Sequence, residues 1–339
     1  MSGKGPAFSS LYKFKELYYS FRPSNPAYTP EQYPDLNGKL AVITGANTGI
    51  GFEVMKLLYS KNCNVICIVR SQEKGLEARK RVLDEVKGSF GSIQVVGGCE
   101  LGSLAKVRTA ANEITKAIGG RPVCLIVHNA GVMPRANTDT SEDGFEKMFA
   151  VNVMGPQLLQ HYLDPLFLKK DDDMKRIVWV SSCAHFYGFS DYGINWENPT
   201  FENVELKDRP SALTLYGQSK AANIFQAKAW ATKHKAIVDN IGCVSVSCFP
   251  GLIQSDLQRD ITSSWAKKAM STILFKSYYG AYTELFAALS PKLKITDQGA
   301  YIVPFGEIHD PRCDIKSGLE NGTDLKLWDF VESKISAFF

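Results

Sequence analysis

The chain has 339 residues, 45% of them hydrophobic, a length that fits one large α/β unit with extensions. Its 39 Lys and Arg against 35 Asp and Glu leave a net charge of +4, which is too small and too dispersed to indicate a nucleic-acid-binding protein. The eight cysteines form no Cys-x-x-Cys pair, so we expect reduced thiols in the core. The five histidines lack metal-ligand spacing, so we expect no metal site. The polar N-terminal segment resembles no cleavable signal peptide, so we expect a cytoplasmic protein.

Residues 1–35 form an extension whose pattern differs from the rest of the chain. Apolar residues recur there at helical spacing, namely Leu11, Phe14, Leu17, Tyr18 and Phe21, and four prolines between Pro23 and Pro34 then prevent a continued helix. This pattern predicts a short amphipathic helix followed by a Pro-containing linker. The aromatic face of the helix either packs on the protein's own surface or a second subunit, or it binds a membrane surface or lipid droplet.

From residue 36 to residue 339 we expect a single domain with a regular α/β pattern. Seven strand-like runs alternate with helical patterns: Leu40–Thr44, Asn64–Val69, Ile93–Gly97, Val123–His128, Arg176–Ser181, Cys243–Phe249 and Tyr301–Phe305. Because strands separated by helices form parallel sheets, this order predicts a Rossmann-type doubly wound sheet of about seven strands in a three-layer α/β/α arrangement. Such sheets bind ligands at the carboxyl ends of their strands.

The segment Lys39–Gly51 joins the first strand to the first helix of this sheet and carries three glycines, Gly45, Gly49 and Gly51. Glycine lets the main chain turn tightly and approach a pyrophosphate, which then lies at the positive end of the following helix. The spacing is Gly-x-x-x-Gly-x-Gly and not the widespread Gly-x-Gly-x-x-Gly. The segment predicts a dinucleotide-binding turn, with an ordinary structural turn as the alternative.

Polar residues at the ends of later strands extend this prediction. Arg70 and Ser71 follow the second strand, where a guanidinium beside a hydroxyl suits a 2′-phosphate and an acidic residue would suit a 2′-hydroxyl. The position favours NADP over NAD, the alternative being a solvated arginine that opens a helix. Glu100 follows the third strand, where its carboxylate would meet an adenine amino group. The fourth strand ends in 129–131, Asn-Ala-Gly, whose small residues indicate close approach of the backbone to a ligand.

Tyr216 and Lys220 are four residues apart at the start of a predicted helix, so they share a helix face. A phenol with a pKa near 10 is a poor acid or base at neutral pH, but a nearby ammonium stabilises the phenolate and lowers that pKa. General acid–base catalysis then becomes feasible. Ser181 and Ser182 lie at the end of the fifth strand, with Ser182 as the candidate site residue and Ser181 as its alternative. Asn152 lies in an apolar helical stretch, where an asparagine is commonly structural.

Together these motifs resemble those of the short-chain dehydrogenase/reductase family, in its classical, retinol-dehydrogenase-like and fungal branch. The matching segments are Thr44–Gly51, Asn129–Gly131, Val151–Gly155, Val180–Ser182, Tyr216-x-x-x-Lys220 and Pro250-Gly251. The resemblance implies that Tyr216 exchanges a proton with the substrate oxygen while a hydride moves between the nicotinamide and the carbonyl carbon. It also implies that Ser182 hydrogen-bonds that oxygen, that Lys220 binds the nicotinamide ribose and lowers the pKa of Tyr216, and that Asn152 holds a water linking Lys220 to solvent.

The same resemblance implies which residues bind the nucleotide. They are Gly45, Asn47, Thr48, Gly49, Ile50, Gly51, Arg70, Ser71, Glu100, Leu101, Asn129, Ala130, Gly131, Tyr216, Lys220, Pro250, Gly251, Ile253 and Ser255. The backbone of Ile253 would meet the carboxamide, and Ser255 stands where the family often has Thr. The chain departs from the family pattern at His128, commonly Asn, and at Glu100, commonly Asp, and neither change removes chemistry.

Two segments are expected to form the substrate region, the insert 183–215 and apolar helices within 257–290. The insert carries the rings of His185, Phe186, Tyr187, Phe189, Tyr192, Trp196 and Phe201. These rings either cover a bulky hydrophobic carbonyl compound as a lid or pack the insert against the sheet, and we interpret His185 as a packing or surface residue. The helices are either core, or a substrate entrance, a dimer face or a lipid surface.

The sequence therefore predicts an NADP(H)-dependent oxidoreductase that interconverts a carbonyl and an alcohol on a bulky, apolar small molecule, with Tyr216 as the general acid or base. The alternative is a non-catalytic NADP(H)-binding protein that acts through partners or a lipid surface. The intact set of Asn152, Ser182, Tyr216 and Lys220 argues against that alternative, because a protein that only binds nucleotide has no need of a proton path. The family is usually dimeric or tetrameric, so a homo-oligomer is also compatible with the resemblance.

Overall fold

The computed structural model describes residues 6–133, 139–254 and 274–339. At its centre lies an eight-stranded sheet with the order β3-β2-β1-β4-β5-β6-β7-β8. The strands are β1 Leu40–Thr44, β2 Asn64–Ile68, β3 Ile93–Val96, β4 Leu125–His128, β5 Arg176–Val180, β6 Val244–Cys248, β7 Tyr301–Val303 and β8 Glu307–His309. The first seven pair in parallel and confirm the predicted doubly wound sheet. The eighth, which the sequence analysis missed, pairs antiparallel with β7.

Helices precede, connect and follow these strands. They are α1 Ser10–Phe21, α2 Gly49–Ser60, α3 Gln72–Glu85, α4 Leu104–Ile118, α5 Lys147–Phe149, α6 Gly155–Phe167, α7 Ala212–Lys233, α8 Lys235–Ile241, α9 Ser277–Leu289, α10 Cys313–Glu320 and α11 Thr323–Ile335. A π-helical turn, Ala150–Met154, joins α5 to α6, and 3-10 turns lie at Pro30–Gln32, Cys183–Tyr187, Leu206–Asp208, Ile295–Asp297 and Ser336–Phe338.

Two hydrophobic layers enclose the sheet. Val42 of β1 lies in one layer with side chains from α4, α6, α7 and α11, whereas its neighbour Ile43 lies in the other with side chains from α2, α3 and α9. Successive residues of a strand point to opposite faces, so a strand covered on both sides has to be apolar throughout. This explains why the central strands are continuously apolar in the sequence.

The order of the strands in the sheet indicates where a ligand would bind. β1 pairs with β2 on one side and with β4 on the other, so the chain reverses its direction of winding between β1 and β4. Open α/β sheets bind ligands in the crevice at such a switch point, outside the carboxyl ends of the strands. The loops that follow β1, β4, β5 and β6 all open at this edge.

The N-terminal helix α1 is held against the last strand. The Tyr19 hydroxyl donates to Glu307 Oε2 at 2.7 Å, and His309 Nε2 lies 2.8 Å from Glu16 Oε2. α1 lies in the segment for which the sequence analysis expects a short helix, and these contacts hold one face of it against the protein's own surface. The opposite face exposes large apolar side chains, those of Leu11, Phe14, Tyr18 and Phe21.

Within the described ranges, no helix combines the length and the apolar character that crossing a bilayer requires.

Candidate active site

A cavity of about 590 Å³ opens at the carboxyl ends of β1, β4, β5 and β6. It is lined by every predicted site residue that the structure describes, with the exception of Asn152. Ser255 lies outside the described residues. The structure thus brings the glycine turn, the second-strand arginine and the Tyr216–Lys220 pair to one cavity, although Gly45 and Lys220 are 175 residues apart in the sequence.

The glycine turn fits the diphosphate of a dinucleotide. Gly45 has φ +71°, and a Cβ at this position would lie 3.0 Å from Ala130. A Cβ at Gly51 would lie 2.4 Å from Asn129 Nδ2. Larger residues are therefore excluded at both positions, and the main chain stays open to a ligand. The first N–H groups of α2 have no partner within the helix and point from its positive end toward the cavity, as an anion requires.

Asn129 fastens β4 to this turn. Its Nδ2 donates to Thr44 O at 2.8 Å, and the N–H of Ala130 donates to Thr44 Oγ1 at 3.0 Å. The asparagine side chain is thereby engaged in holding the two strand ends together, while Ala130 and Gly131 leave space beside them. The close backbone approach predicted for 129–131 is compatible with this arrangement.

One end of the cavity carries cationic groups. Arg70 and Ser71 line it, and so does Lys74, which the sequence analysis missed. The Ser71 hydroxyl accepts the N–H of Lys74 at 3.3 Å and caps α3, so its own proton is still available to a ligand. Arg70 Nη1 lies 3.5 Å from Glu100 Oε2, and its side chain is 73% exposed. Lys74 lies in the first turn of α3, whereas Arg70 directly precedes the cap residue Ser71. The spacing from Arg70 to Lys74 was the signal for Lys74 in the sequence.

At the other end, Tyr216 and Ser182 line the cavity together. Burial raises the pKa of Tyr216, the Cys183 thiol adds to this increase, and the Ser182 hydroxyl opposes it. The Ser182 hydroxyl also accepts the N–H of Ala184 at 3.1 Å, which fixes its direction. The hydroxyl of Ser181, by contrast, donates to the backbone oxygen of Lys220 at 2.7 Å and is committed to holding α7.

Lys220 lies next to Tyr216, with its Nζ 5.6 Å from the centre of the phenol ring. The ammonium donates to Val180 O at 2.8 Å and to Asn223 Oδ1 at 3.3 Å. Burial lowers the pKa of Lys220 to about 8, while Cys248 and then Glu284 act in the opposite direction. The pKa of Tyr216 is raised in this structure, and burial is the largest cause.

Asn152 lies in the π-helical turn between α5 and α6, a local insertion that is frequent at functional sites. Its Oδ1 accepts the N–H of Val132 at 2.8 Å, and its Nδ2 donates to Val132 O and to Ser219 Oγ, each at 3.0 Å. A Cβ on Gly131 would lie 3.3 Å from Asn152 Oδ1 and 3.4 Å from Lys220 Nζ. The two side chains therefore converge on Gly131.

Asn223 connects Lys220 to Asn152, and the sequence analysis missed it. Its Oδ1 accepts from Lys220 Nζ, and its Nδ2 donates to the backbone oxygen of Asn152 at 2.7 Å. Asn223 is three residues after Lys220 and so lies on the same helix face. An asparagine at that spacing, in an otherwise apolar run, was the available signal.

Most rings of the insert pack and do not line the cavity. Of the seven named in the sequence analysis, Tyr187 alone lines it. Phe189 stacks on Phe201, which is buried beside Tyr216, and Phe186 is buried below α1, 6.0 Å from the ring of Tyr12. A wall that the sequence analysis did not assign to the cavity comes from α1, which contributes Leu17 and Phe21.

His185 is a packing residue, as interpreted from the sequence. It is fully buried, its Nδ1 lies 2.7 Å from Ser182 O, and its Nε2 accepts the N–H of Arg312 at 3.1 Å. Burial lowers its pKa to about 3, so it is neutral at physiological pH. His128 is similarly buried and stacks on Trp179, with ring centroids 4.4 Å apart.

The second predicted substrate segment divides into two parts. Residues 257–273 lie outside the described residues, whereas α9 packs its buried side chains, including Leu285 and Phe286, against the sheet. The core interpretation therefore applies to α9. Leu274 lines the cavity, and Phe275 pairs with the backbone of Leu252 and Gln254, which anchors the loop after β6.

The sequence is similar to a known protein family and to proteins named as its members. The family model described as short chain dehydrogenase matches residues 39–194. A fungal protein named short-chain dehydrogenase/reductase bet4, from Neocamarosporium betae, is 35% identical over 332 residues, which cover 93% of this chain and 92% of that protein.

Solved structures show the same fold. A crystal structure of an uncharacterized protein from Mycobacterium paratuberculosis has a TM-score of 0.66 at 24% identity and covers 91% of this chain and 97% of its own. NADPH-bound carbonyl reductase from chicken fatty liver has a TM-score of 0.58 at 18% identity, covering 81% and 99%.

Proposed function

The chain belongs to the short-chain dehydrogenase/reductase family, and from this premise we propose that it is an NADP(H)-dependent oxidoreductase that reduces a carbonyl group on a bulky, apolar aldehyde or ketone. The observation that carries the proposal is that Tyr216, Ser182 and Lys220 line the same cavity as the glycine turn. A reduced nicotinamide, when bound, supplies the hydride.

Tyr216 is the proton donor to the carbonyl oxygen. Since burial raises the pKa of its phenol, Tyr216 stays protonated at neutral pH, which is the state that an acid needs. The developing alkoxide is a strong base, so a phenol of high pKa still transfers its proton to it. Ser182 donates its hydroxyl hydrogen to the same oxygen and stabilises the charge that develops there.

Lys220 and the two asparagines form the path by which Tyr216 regains a proton. The ammonium is positioned by Val180 O and Asn223, and Asn223 in turn holds the backbone of Asn152. Lys220 hydrogen-bonds ribose hydroxyls of the nucleotide, and its charge stabilises the phenolate that proton transfer leaves behind. Asn223 therefore shares the connecting role that the resemblance assigns to Asn152.

Arg70, Lys74 and Ser71 support NADP(H) over NAD(H). Two cations and a hydroxyl stand where the 2′-position of the adenosine ribose would lie, and a phosphate dianion is stabilised by charge-assisted hydrogen bonds from all three. Among the described residues that line the cavity, Glu100 is the one acid, and it is paired with Arg70.

The substrate class follows from the walls of the cavity beyond Tyr216. Apolar side chains from separate segments line it: Leu17, Phe21, Met133, Tyr187, Leu213 and Leu274. Such walls favour a substrate with an apolar body whose carbonyl reaches Tyr216.

The test is a panel of medium- and long-chain aldehydes and ketones with NADPH, on the wild type and on Tyr216→Phe. We expect the wild type to oxidise NADPH with apolar substrates, and Tyr216→Phe to lose turnover while it still binds NADPH. Tyr59→Phe, which changes a buried tyrosine outside the cavity, is the matched control and is expected to keep activity. A folded wild type that binds NADPH yet reduces no member of the panel contradicts the proposal.

A further inference from the structure

Arg312 is a buried arginine that binds the loop following Ser182. Its Nε and Nη2 atoms donate to the two carboxylate oxygens of Asp314, each at 2.7 Å. Its three remaining N–H groups donate to three backbone oxygens of the loop. These are the oxygens of His185 at 3.1 Å, Gly188 at 3.2 Å and Phe189 at 2.5 Å. All five donors of the guanidinium are thus bound, and this ion pair, whose two side chains are fully buried, fixes the course of the loop.

His185 connects Arg312 to Ser182. Its Nε2 accepts the backbone N–H of Arg312 at 3.1 Å, and its Nδ1 lies 2.7 Å from Ser182 O. A neutral imidazole carries one proton, and because Nε2 is the acceptor, that proton is on Nδ1 and is donated to Ser182 O. The ring centroids of Phe186 and Tyr301 lie 4.4 and 5.2 Å from that of His185, so the imidazole is also packed in place.

The position of the Ser182 hydroxyl depends on the turn that carries His185. The 3-10 turn Cys183–Tyr187 begins directly after Ser182. Ser182 O accepts two hydrogen bonds from His185, one from the ring and one from the backbone N–H at 3.1 Å. Ser182 Oγ accepts the N–H of Ala184 at 3.1 Å, a contact that does not use its own hydrogen. The carbonyl and the hydroxyl of the serine are therefore held by one turn, and His185 joins that turn to Arg312.

We propose that His185 is a positioning residue for the reaction: its imidazole, fixed by the buried Arg312–Asp314 pair, holds Ser182 where the serine hydroxyl meets the substrate oxygen. The inference rests on the proposed function of Ser182. A donor to a developing oxyanion is effective only if it is held within about 0.5 Å of its place. The hydrogen bonds of a short 3-10 turn have poor geometry, so this precision has to come from outside the turn. The imidazole supplies it.

Packing alone does not require a histidine at this position. A phenylalanine has a ring of similar shape and brings no polar atoms into the core. Replacing a buried ion pair such as Arg312–Asp314 by apolar side chains of the same volume is likewise often neutral or stabilising. Hydrogen bonds add direction, because the donors and acceptors around His185 are all satisfied in one arrangement of the loop.

The first experiment determines which ring nitrogen of His185 carries the proton in the wild type. Protein with isotope-labelled histidine rings is examined by NMR at neutral pH, and the signals of this residue are identified by their loss in His185→Asn or His185→Phe. We expect a protonated Nδ1 and an unprotonated Nε2. A proton on Nε2 overturns the inference, because this nitrogen could then not accept the N–H of Arg312.

The second experiment measures kcat and KM for a carbonyl substrate together with NADPH affinity. His185→Phe keeps a ring and loses both nitrogens, and we expect kcat to fall about tenfold with NADPH affinity unchanged. His185→Asn places an amide N–H near the position of Nδ1 and is expected to keep kcat within about threefold of the wild type. A folded Asn variant that is as slow as the Phe variant overturns the inference.

A double-variant cycle tests whether His185 acts through Ser182. In the Ser182→Ala background no hydroxyl is left to position, so His185→Phe is expected to lower the remaining kcat less than about twofold. An equal, about tenfold loss in both backgrounds shows that the histidine acts elsewhere and overturns the inference. The NMR measurement is made on the wild type and remains decisive if His185→Phe does not fold.

His234→Phe is the matched control. Nδ1 of His234 lies 2.9 Å from Trp230 O, the same kind of contact as that of His185, and His234 does not line the cavity. Its replacement is expected to leave kcat unchanged. A wild type that binds NADPH and reduces no carbonyl compound contradicts the proposed function, whereas the position of the proton on His185 still shows whether this ring holds Ser182 O.

Discussion

Replacing Arg70 by alanine is expected to weaken NADPH binding about tenfold and to leave NADH binding nearly unchanged. A hydrogen bond to a charged group contributes about 1.5–3 kcal/mol. The Arg70 side chain is 73% exposed, so solvent screening favours the lower limit. About 1.4 kcal/mol corresponds to a factor of ten in the dissociation constant.

Glu100 adds to this effect. Its Oε2 lies 3.5 Å from Arg70 Nη1, so removing the guanidinium leaves a carboxylate without that counter-charge beside the 2′-phosphate. The dianion of NADPH is then repelled, whereas the 2′-hydroxyl of NADH is not. The prediction thus concerns the ratio of the two dissociation constants, which a general loss of folding would not change.

The assay is fluorescence titration of both nucleotides at two salt concentrations, because an electrostatic contact weakens as the ionic strength rises. Lys74→Ala is expected to act in the same direction. Lys80→Ala removes the same charge from an exposed position of α3 outside the cavity and is expected to change neither affinity. An Arg70→Ala protein whose NADPH-to-NADH ratio equals that of the wild type would refute the reasoning.

Three further predictions concern other parts of the site. Ser182→Ala is expected to lower kcat/KM about 100-fold, as removal of one donor to a developing oxyanion does, and Ser181→Ala is expected to lower it far less. Leu17→Ala is expected to raise KM for long-chain substrates about tenfold through lost apolar contact, with NADPH affinity unchanged. Gly51→Ala, whose Cβ would lie 2.4 Å from Asn129 Nδ2, is expected to cost about 1–3 kcal/mol in the free energy of unfolding and to weaken NADPH binding. An equal loss of kcat/KM in both serine variants contradicts the first prediction. An unchanged KM in Leu17→Ala contradicts the second, and an unchanged melting temperature in Gly51→Ala contradicts the third.

The parts of this molecule that the sequence predicts are those where one physical requirement dominates. Buried parallel strands have to be apolar on both faces, so β1, β4 and β5 stand out as continuous runs. A turn whose Cβ positions are occupied by neighbouring atoms has to contain glycine, so Gly45 and Gly51 are visible as well. Both patterns are recognisable in a single sequence because few other residue types meet these two requirements.

The elements that the sequence analysis missed lack such a requirement. β8, residues Glu307–His309, is three residues long and exposes Glu307 and Ile308, so it shows no alternation. Asn223 and Lys74 are polar residues on helices, where such residues are common. The burial of Glu284 on α9 also had no sequence signal, since a single acid in an apolar helix ordinarily marks its solvent-facing side.

The substrate region could not be predicted from the sequence either. The aromatic insert supported two interpretations equally, since rings that cover a ligand and rings that pack a loop have the same composition. The fold decides between them ring by ring, and it leaves Tyr187 in the cavity. Within the family, the retinol-dehydrogenase-like assignment stays a prediction.

The way α1 is attached has a consequence for how substrate range changes over time. Ser20 is the one buried residue of α1, and the helix is fastened by polar contacts to Glu307 and His309 at the margin of the sheet. Leu17 and Phe21 of this helix nevertheless form part of the cavity wall. Substitutions in α1 are therefore expected to change the shape of the cavity wall while the hydrophobic core stays intact. Substrate range is expected to diverge through this helix at little cost in folding stability.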